Sequence, residues 1–228
     1  MKIYKNLTIV GTSHISIESV KEVEEIILKN KPDVVALELD RVRFEALVNK
    51  RERRLRLSDI KKIGFNGFLF NLIGGFIEKR LGKIVSVAPG SEMKKAAEVA
   101  KKCGAKVALI DQDVSLTLKK ISKEITWREK FRFIKDVIKG ISAKRIKFDL
   151  TKVPPKSLIK RLTNKLKIDY PNLYRILVKE RNEIMAKYLY ILMNSYNSVV
   201  AVVGAGHEEE IIEEIKKWGY LQKKKEGH

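Results

Sequence analysis

Three observations predict an α/β fold, with a central, mainly parallel sheet flanked by helices. Apolar runs alternate with stretches of helical periodicity. The runs at 34–39 and 198–203 are almost continuously apolar, as in strands covered on both faces. Four runs end in an ionisable residue: His14, Glu38, Asp111 and His207. In open parallel sheets the residues just past the strands' carboxyl ends converge on one crevice, so the third observation predicts a site as well as a fold.

The elements follow in order. Ile3 to Val10 is a β-branched strand, and Ser16-Ile-Glu-Ser opens a helix with Val20, Val23, Ile26 and Ile27 on one face. Pro32-Asp33 restarts the chain into the strand 34–39, in which Glu38 is the anomaly. A charged helix is expected from about 40 to 57. Residues 58–82 carry Phe65, Phe68, Phe70, Phe76 and glycines, read as a buried helical hairpin, a subunit interface or a shallow membrane contact. Val85–Ala88 is a short strand, and Pro89-Gly90-Ser91-Glu92 opens a helix that Gly104 terminates. Lys106–Ile110 is a strand ending in Asp111-Gln112-Asp113. From Ser115 to about Lys167 the chain is helical, basic and interrupted at Gly140 and Pro154-Pro155. We therefore expect a core made of 1–118 and 168–228, with 119–167 as a basic helical insertion outside the sheet. A long helix spans about Pro171–Asn194, Ser198–Val203 is the last strand, and a helix runs from Glu208 to about Trp218 before a frayed tail.

At 228 residues and 44% hydrophobic, the chain is long enough and apolar enough for a substantial core. Its longest weakly charged stretch, Gly64–Ile77, falls short of the roughly 20 apolar residues that cross a bilayer, and the N-terminus has no signal-peptide pattern. A cytoplasmic protein is expected. Cys103 is the sole cysteine, which excludes an intrachain disulfide and makes it a small core hydrophobe. The net charge is +20, and residues 119–167 hold 17 Lys or Arg against 4 Asp or Glu. Such a block suits phosphate polymers or an anionic membrane surface, although Lys-rich exteriors also occur in heat-tolerant proteins. No motif interleaves aromatics with the basic block, so sequence-specific nucleic-acid binding is not expected.

Gly11-Thr12-Ser13-His14 and Gly204-Ala205-Gly206-His207 supply every histidine except terminal His228. Each follows a strand and precedes a helix, so the fold is expected to bring the two imidazoles together. Gly11 and Gly204 are expected to turn the chain sharply off the sheet, and the next helix's positive end disfavours imidazolium. A neutral imidazole binds a metal or accepts a proton, and Glu38 adds a carboxylate that is costly to bury unpaired. A salt bridge from Glu38 to Arg41 or Arg43 is the structural alternative. Asp111 and Asp113 read as N-cap and turn residues, and Glu208, Glu209 and Glu210 as acids that complement a helix dipole. Glu92 either faces the crevice or does the same. Arg181 either pairs on the surface with Glu180 or Glu183, or holds substrate.

Together these residues resemble the TraB family, which includes pheromone-shutdown proteins and is similar to the Tiki metalloprotease domain. The resemblance is carried by Gly11-Thr-Ser-His14, Glu38-Leu39-Asp40, Arg43-Phe44, Gly90-Ser-Glu92-Met93, Asp111-Gln112-Asp113, Thr117-Leu118-Lys119, Glu180-Arg181-Asn182 and Val203-Gly-Ala-Gly-His207. It implies a hydrolytic site, of peptidase type, on His14, Glu38 and His207. Arg43, Glu92 and Arg181 would support these, and the divalent metal would be manganese or cobalt rather than zinc. Gln112, Asn182 and Phe44 stand where the family usually has Arg, Asp and Tyr, and a polar role for those three is not expected. The membrane helices common among TraB relatives are not seen, though a membrane association stays open. A peptide is the expected substrate, or the expected ligand if the chain only sequesters it, and a homodimer is expected through 64–77 and the exposed helical insertion.

Overall fold

The computed structural model describes residues 1–13, 16–49, 90–142 and 155–226. His14, the Phe-rich segment, the expected strand at 85–88 and the remainder of the helix expected to reach 57 therefore lie outside the described residues.

Among the described residues five strands form one sheet in the order β1-β2-β5-β3-β4. They are β1 (Lys2–Tyr4), β2 (Leu7–Thr12), β3 (Val34–Leu37), β4 (Lys106–Leu109) and β5 (Val199–Gly204). Only the β1–β2 pair is antiparallel. The single strand expected at 3–10 is thus a hairpin, because Lys5 takes a left-handed φ of 53° and turns the chain. Asn6 fastens that turn by donating to Met193 O and Tyr196 O at 2.9 and 2.8 Å.

The parallel register aligns the carboxyl ends. Thr12 stands opposite Gly204, and Leu37 stands opposite both Val202 and Leu109. Alternate residues of each strand enter two separate cores, as the period of two requires. Leu7, Ile9, Val34, Ala36, Val199, Ala201 and Val203 pack with Met185, Leu189, Ile211 and Ile215, from α8 (Glu180–Ser195) and α9 (Glu208–Glu226). On the other face Val10, Val35, Leu37, Val200 and Val202 pack with Val23 and Ile27 of α1 (Ile17–Asn30) and with Met93, Ala96 and Val99 of α3 (Ser91–Lys102). Burial on both faces explains why these strands read as continuous apolar runs.

Local signals set the helix ends. Ser16 caps α1, whose buried face includes Val23 and Ile27 as expected, and Asp40 caps α2 (Arg41–Val48). Gly104 at φ 74° follows α3, and Cys103 there is half-buried. The basic stretch forms α4 (Val114–Glu124), α5 (Trp127–Ser142) and α6 (Lys156–Asp169). Gly140, expected to interrupt it, lies inside α5, where one glycine costs only about 1 kcal/mol. Ile121, Ile125, Tyr170, Leu173 and Ile176 form a third, smaller core for these helices. The long helix expected near 171–194 is α7 (Pro171–Tyr174), a π-helical turn (Arg175–Lys179) and then α8. Helix α9 continues to Glu226, through most of the tail expected to fray. No described helix is long and apolar enough to cross a membrane.

Candidate functional site

Strand β3 runs straight into Glu38, whose amide donates to Val202 O at 3.1 Å and so continues the β3–β5 ladder for one more residue. The Glu38 side chain is buried. Its Oε2 accepts from Gly204 N at 2.6 Å, and its Oε1 accepts from Arg181 Nη2. His207 enters from β5. After Gly204 the chain makes a tight turn, closed by His207 N to Gly204 O at 2.9 Å, and His207 O accepts from Ile211 N to begin α9. This places His207 Nε2 at 3.4 Å from Glu38 Oε1. The other ring nitrogen, Nδ1, is 2.5 Å from Asn182 Oδ1.

Around this pair lies a buried set of charges. Arg181, on α8, reaches Asp111 through Nε at 3.0 Å and Nη2 at 2.7 Å, and its Nη1 donates to Leu177 O at 3.1 Å. Arg43, on α2, donates to Asp40 at 2.7 Å and to Asp111 at 2.5 Å. Asp40 also accepts from Val114 N at 3.1 Å, tying α2 to α4. Burial alone would raise the pKa of Asp111, but the bonds and charges of Arg181 and then Arg43 outweigh it and hold the carboxyl below its ordinary value. Burial would likewise lower Arg181, yet Glu38 and Asp111 outweigh it and the guanidinium is raised above its ordinary value. Three carboxylates, Glu38, Asp40 and Asp111, thus face two guanidinium groups.

Several expected partners are different. Glu38 pairs with Arg181, while Arg41 pairs with Glu45 on the surface at 3.0 Å. Arg181 is no surface residue, and it is Glu180 that pairs with Arg175 and Lys120. Asp113 does cap α4, but Asp111 binds both arginines. Phe44 packs against the core beside α1 and α3. Gln112 donates to Thr117 Oγ1 at 2.7 Å, and its buried Oε1 has no hydrogen-bond partner among the described residues.

The acids opening α9 do more than complement its dipole. Glu208 accepts from Gly11 N at 2.8 Å, and Glu210 accepts from Asn182 Nδ2 at 2.7 Å and from Tyr174 Oη at 2.8 Å. Asn182 is therefore polar in role and buried, contrary to expectation. Gly11 does not turn the chain, being the fifth residue of β2, whereas Gly204 is the last residue of β5 and opens the turn that leads to His207. Gly11 is needed instead for close approach: a Cβ there would stand 2.5 Å from Glu208 Cδ. The sequence signal for these roles was three consecutive glutamates directly after a strand-end histidine, which reads equally well as a helix start.

Glu92 is buried in the first turn of α3. Because α3 leads back to the start of β4, its first turn lies toward the same sheet edge as Glu38. Among the described residues no three His, Cys, Asp or Glu side chains are grouped as a metal-holding set. His14, the next residue after Ser13, lies outside them.

The model of the TraB/PrgY/gumN family matches residues 4–223. An uncharacterized protein of Methanocaldococcus jannaschii is 36% identical over 220 residues, covering 93% of this chain and 54% of its own length. The TraB domain-containing proteins of mouse and human are each 26% identical, covering 76% of this chain and 49% of theirs. The chain thus spans about half the length of the curated relatives it matches.

Proposed function

The chain belongs to the TraB/PrgY/gumN family, and from that membership and the edge geometry we propose a metal-assisted hydrolase, a peptidase in kind, built on Glu38 and His207. The observation that carries the reading is the 3.4 Å approach of His207 Nε2 to Glu38 Oε1, with the ring's other nitrogen engaged by Asn182. Two donors bonded to one divalent ion at about 2.0–2.1 Å in tetrahedral arrangement stand about 3.3 Å apart, so this spacing suits a shared ion. Arg181 also binds Glu38 Oε1, but a carboxylate oxygen has a second lone pair to offer. The surplus of carboxylates over guanidinium groups favours a cation over an anion. His14 completes the donor set in this reading, and Glu92 is a further ligand at the same edge.

A divalent ion held by these residues would supply Lewis acidity that activates water as a nucleophile. The protein's own groups do the rest. Where Glu38 acts as general base instead of ligand, its Oε1 takes up the proton that the nucleophile loses, and Arg181 fixes that oxygen in place through its bonds to Asp111 and Leu177 O. Arg43, with 35% of its side chain exposed, steadies the developing oxyanion or a substrate carboxylate.

Peptide cleavage with and without Mn²⁺ tests the reading. We expect His14→Ala, His207→Ala and Glu38→Gln each to lose about 10²–10⁴-fold in kcat. Undiminished turnover in all three removes the assignment. Peptide binding that survives chelation, with no turnover under any condition, favours sequestration by the same crevice.

A further inference from the structure

A line of hydrogen bonds leads from α7 into the site, and the donor capacity of its members decides the state of His207. An ionised carboxylate only accepts, so Glu210 must receive from both neighbours. Tyr174 Oη is one donor; burial first, and then the Glu210 carboxylate, push its hydroxyl up to about 12. The other neighbour, Asn182, is buried and must turn its NH₂ toward Glu210, which leaves its carbonyl oxygen facing the imidazole. A carbonyl oxygen 2.5 Å from His207 Nδ1 requires that Nδ1 carry the proton.

We propose that Glu210 and Tyr174 are positioning residues: through Asn182 they hold His207 in the Nδ1–H form, so that Nε2 presents its lone pair to the Glu38 side. A histidine that binds a cation is commonly oriented by a bond from its other nitrogen to a carbonyl or carboxylate. Here that orienting acceptor is an amide, and an amide has two ends. Glu210 selects which end the ring meets. The functional weight of this inference rests on the hydrolytic reading, whereas the tautomer does not.

The test is a long-range ¹H–¹⁵N correlation spectrum of the full chain labelled at histidine, with chelator present and at a pH where the ring is neutral. His207 is assigned by the signal lost in His207→Gln. In the native chain we expect the Nδ1–H form. In Glu210→Gln the new amide can present either its oxygen or its NH₂ to Asn182, so the constraint is lifted and an Nε2–H signal appears beside the Nδ1–H signal. We expect kcat in that variant to fall by about 10–100-fold. A native His207 found as Nε2–H overturns the inference, and so does a Glu210→Gln chain that folds and shows the Nδ1–H form alone. If Glu210→Gln does not fold, the native spectrum alone decides. Absence of any hydrolysis alongside the expected tautomer signals would defeat the hydrolytic reading and leave this one standing.

Discussion

Asp111 has a fully buried side chain and neutralises parts of two arginines at once. Replacing it by Asn leaves Arg181 with one carboxylate and Arg43 with only Asp40, so we expect a loss of about 3 kcal/mol in urea unfolding. The sign of its pH dependence follows from its lowered pKa. Its stabilisation is complete above the unfolded-state value near 3.9 and is lost as pH falls through the lower folded value, so the variant's stability curve should flatten below about pH 4. At Gly11 a methyl group would push aside a Glu208 carboxylate that is buried and bonded to Gly11 N and the N-terminal amine. Gly11→Ala should therefore cost about 1–3 kcal/mol, and much less in a Glu208→Ala background, by the same unfolding measurement. Positions were legible here where partners were not. Glu38, Asp111 and His207 stood out because each follows an apolar run, but which guanidinium reaches which carboxylate depends on α8 crossing the sheet edge, and no local spacing records that.

Secondary structure was read well where periodicity is long and misread where one residue changes its course. Strands β3, β4 and β5 and helices α1 and α3 follow from apolar patterning and caps. The β1–β2 hairpin was missed because a lysine occupies its left-handed position, where the sequence signal is usually Asn or Gly. We expect Lys5→Gly to relieve that backbone and raise stability by about 1 kcal/mol, read as a higher urea midpoint with an unchanged slope. The π-helical turn at Arg175–Lys179 was also invisible, since its side chains fit a plain helical pattern. It has a geometric effect. A π turn takes up one extra residue, so the steps from Tyr174 to Asn182 behave like a heptad of ordinary helix, and both residues come to one face within about 20°. That is how Tyr174 and Asn182 both reach Glu210.

For the molecule as a whole, the class of fold and the sheet edge at which Glu38, Asp111 and His207 gather could be read from the sequence, while the mutual docking of the basic helices could not, because few strand or cap signals punctuate them. The net charge of +20 implies self-repulsion in the compact state. Thermal unfolding should shift upward as sodium chloride is raised from about 10 to 150 mM, over which range the Debye length falls from about 30 to 8 Å. A midpoint that is flat or falling across that range would show that local ion pairs outweigh the repulsion. The strand order carries a further consequence. Strand β5 is last in sequence yet lies between β2 and β3, the two strands with which it pairs. A growing chain that has not yet emerged past residue 204 holds two sheet fragments with an empty lane between them, so the edge that joins Glu38 to His207 cannot preassemble before β5 is made. Whatever this edge does, it does only once the chain has been made past residue 204.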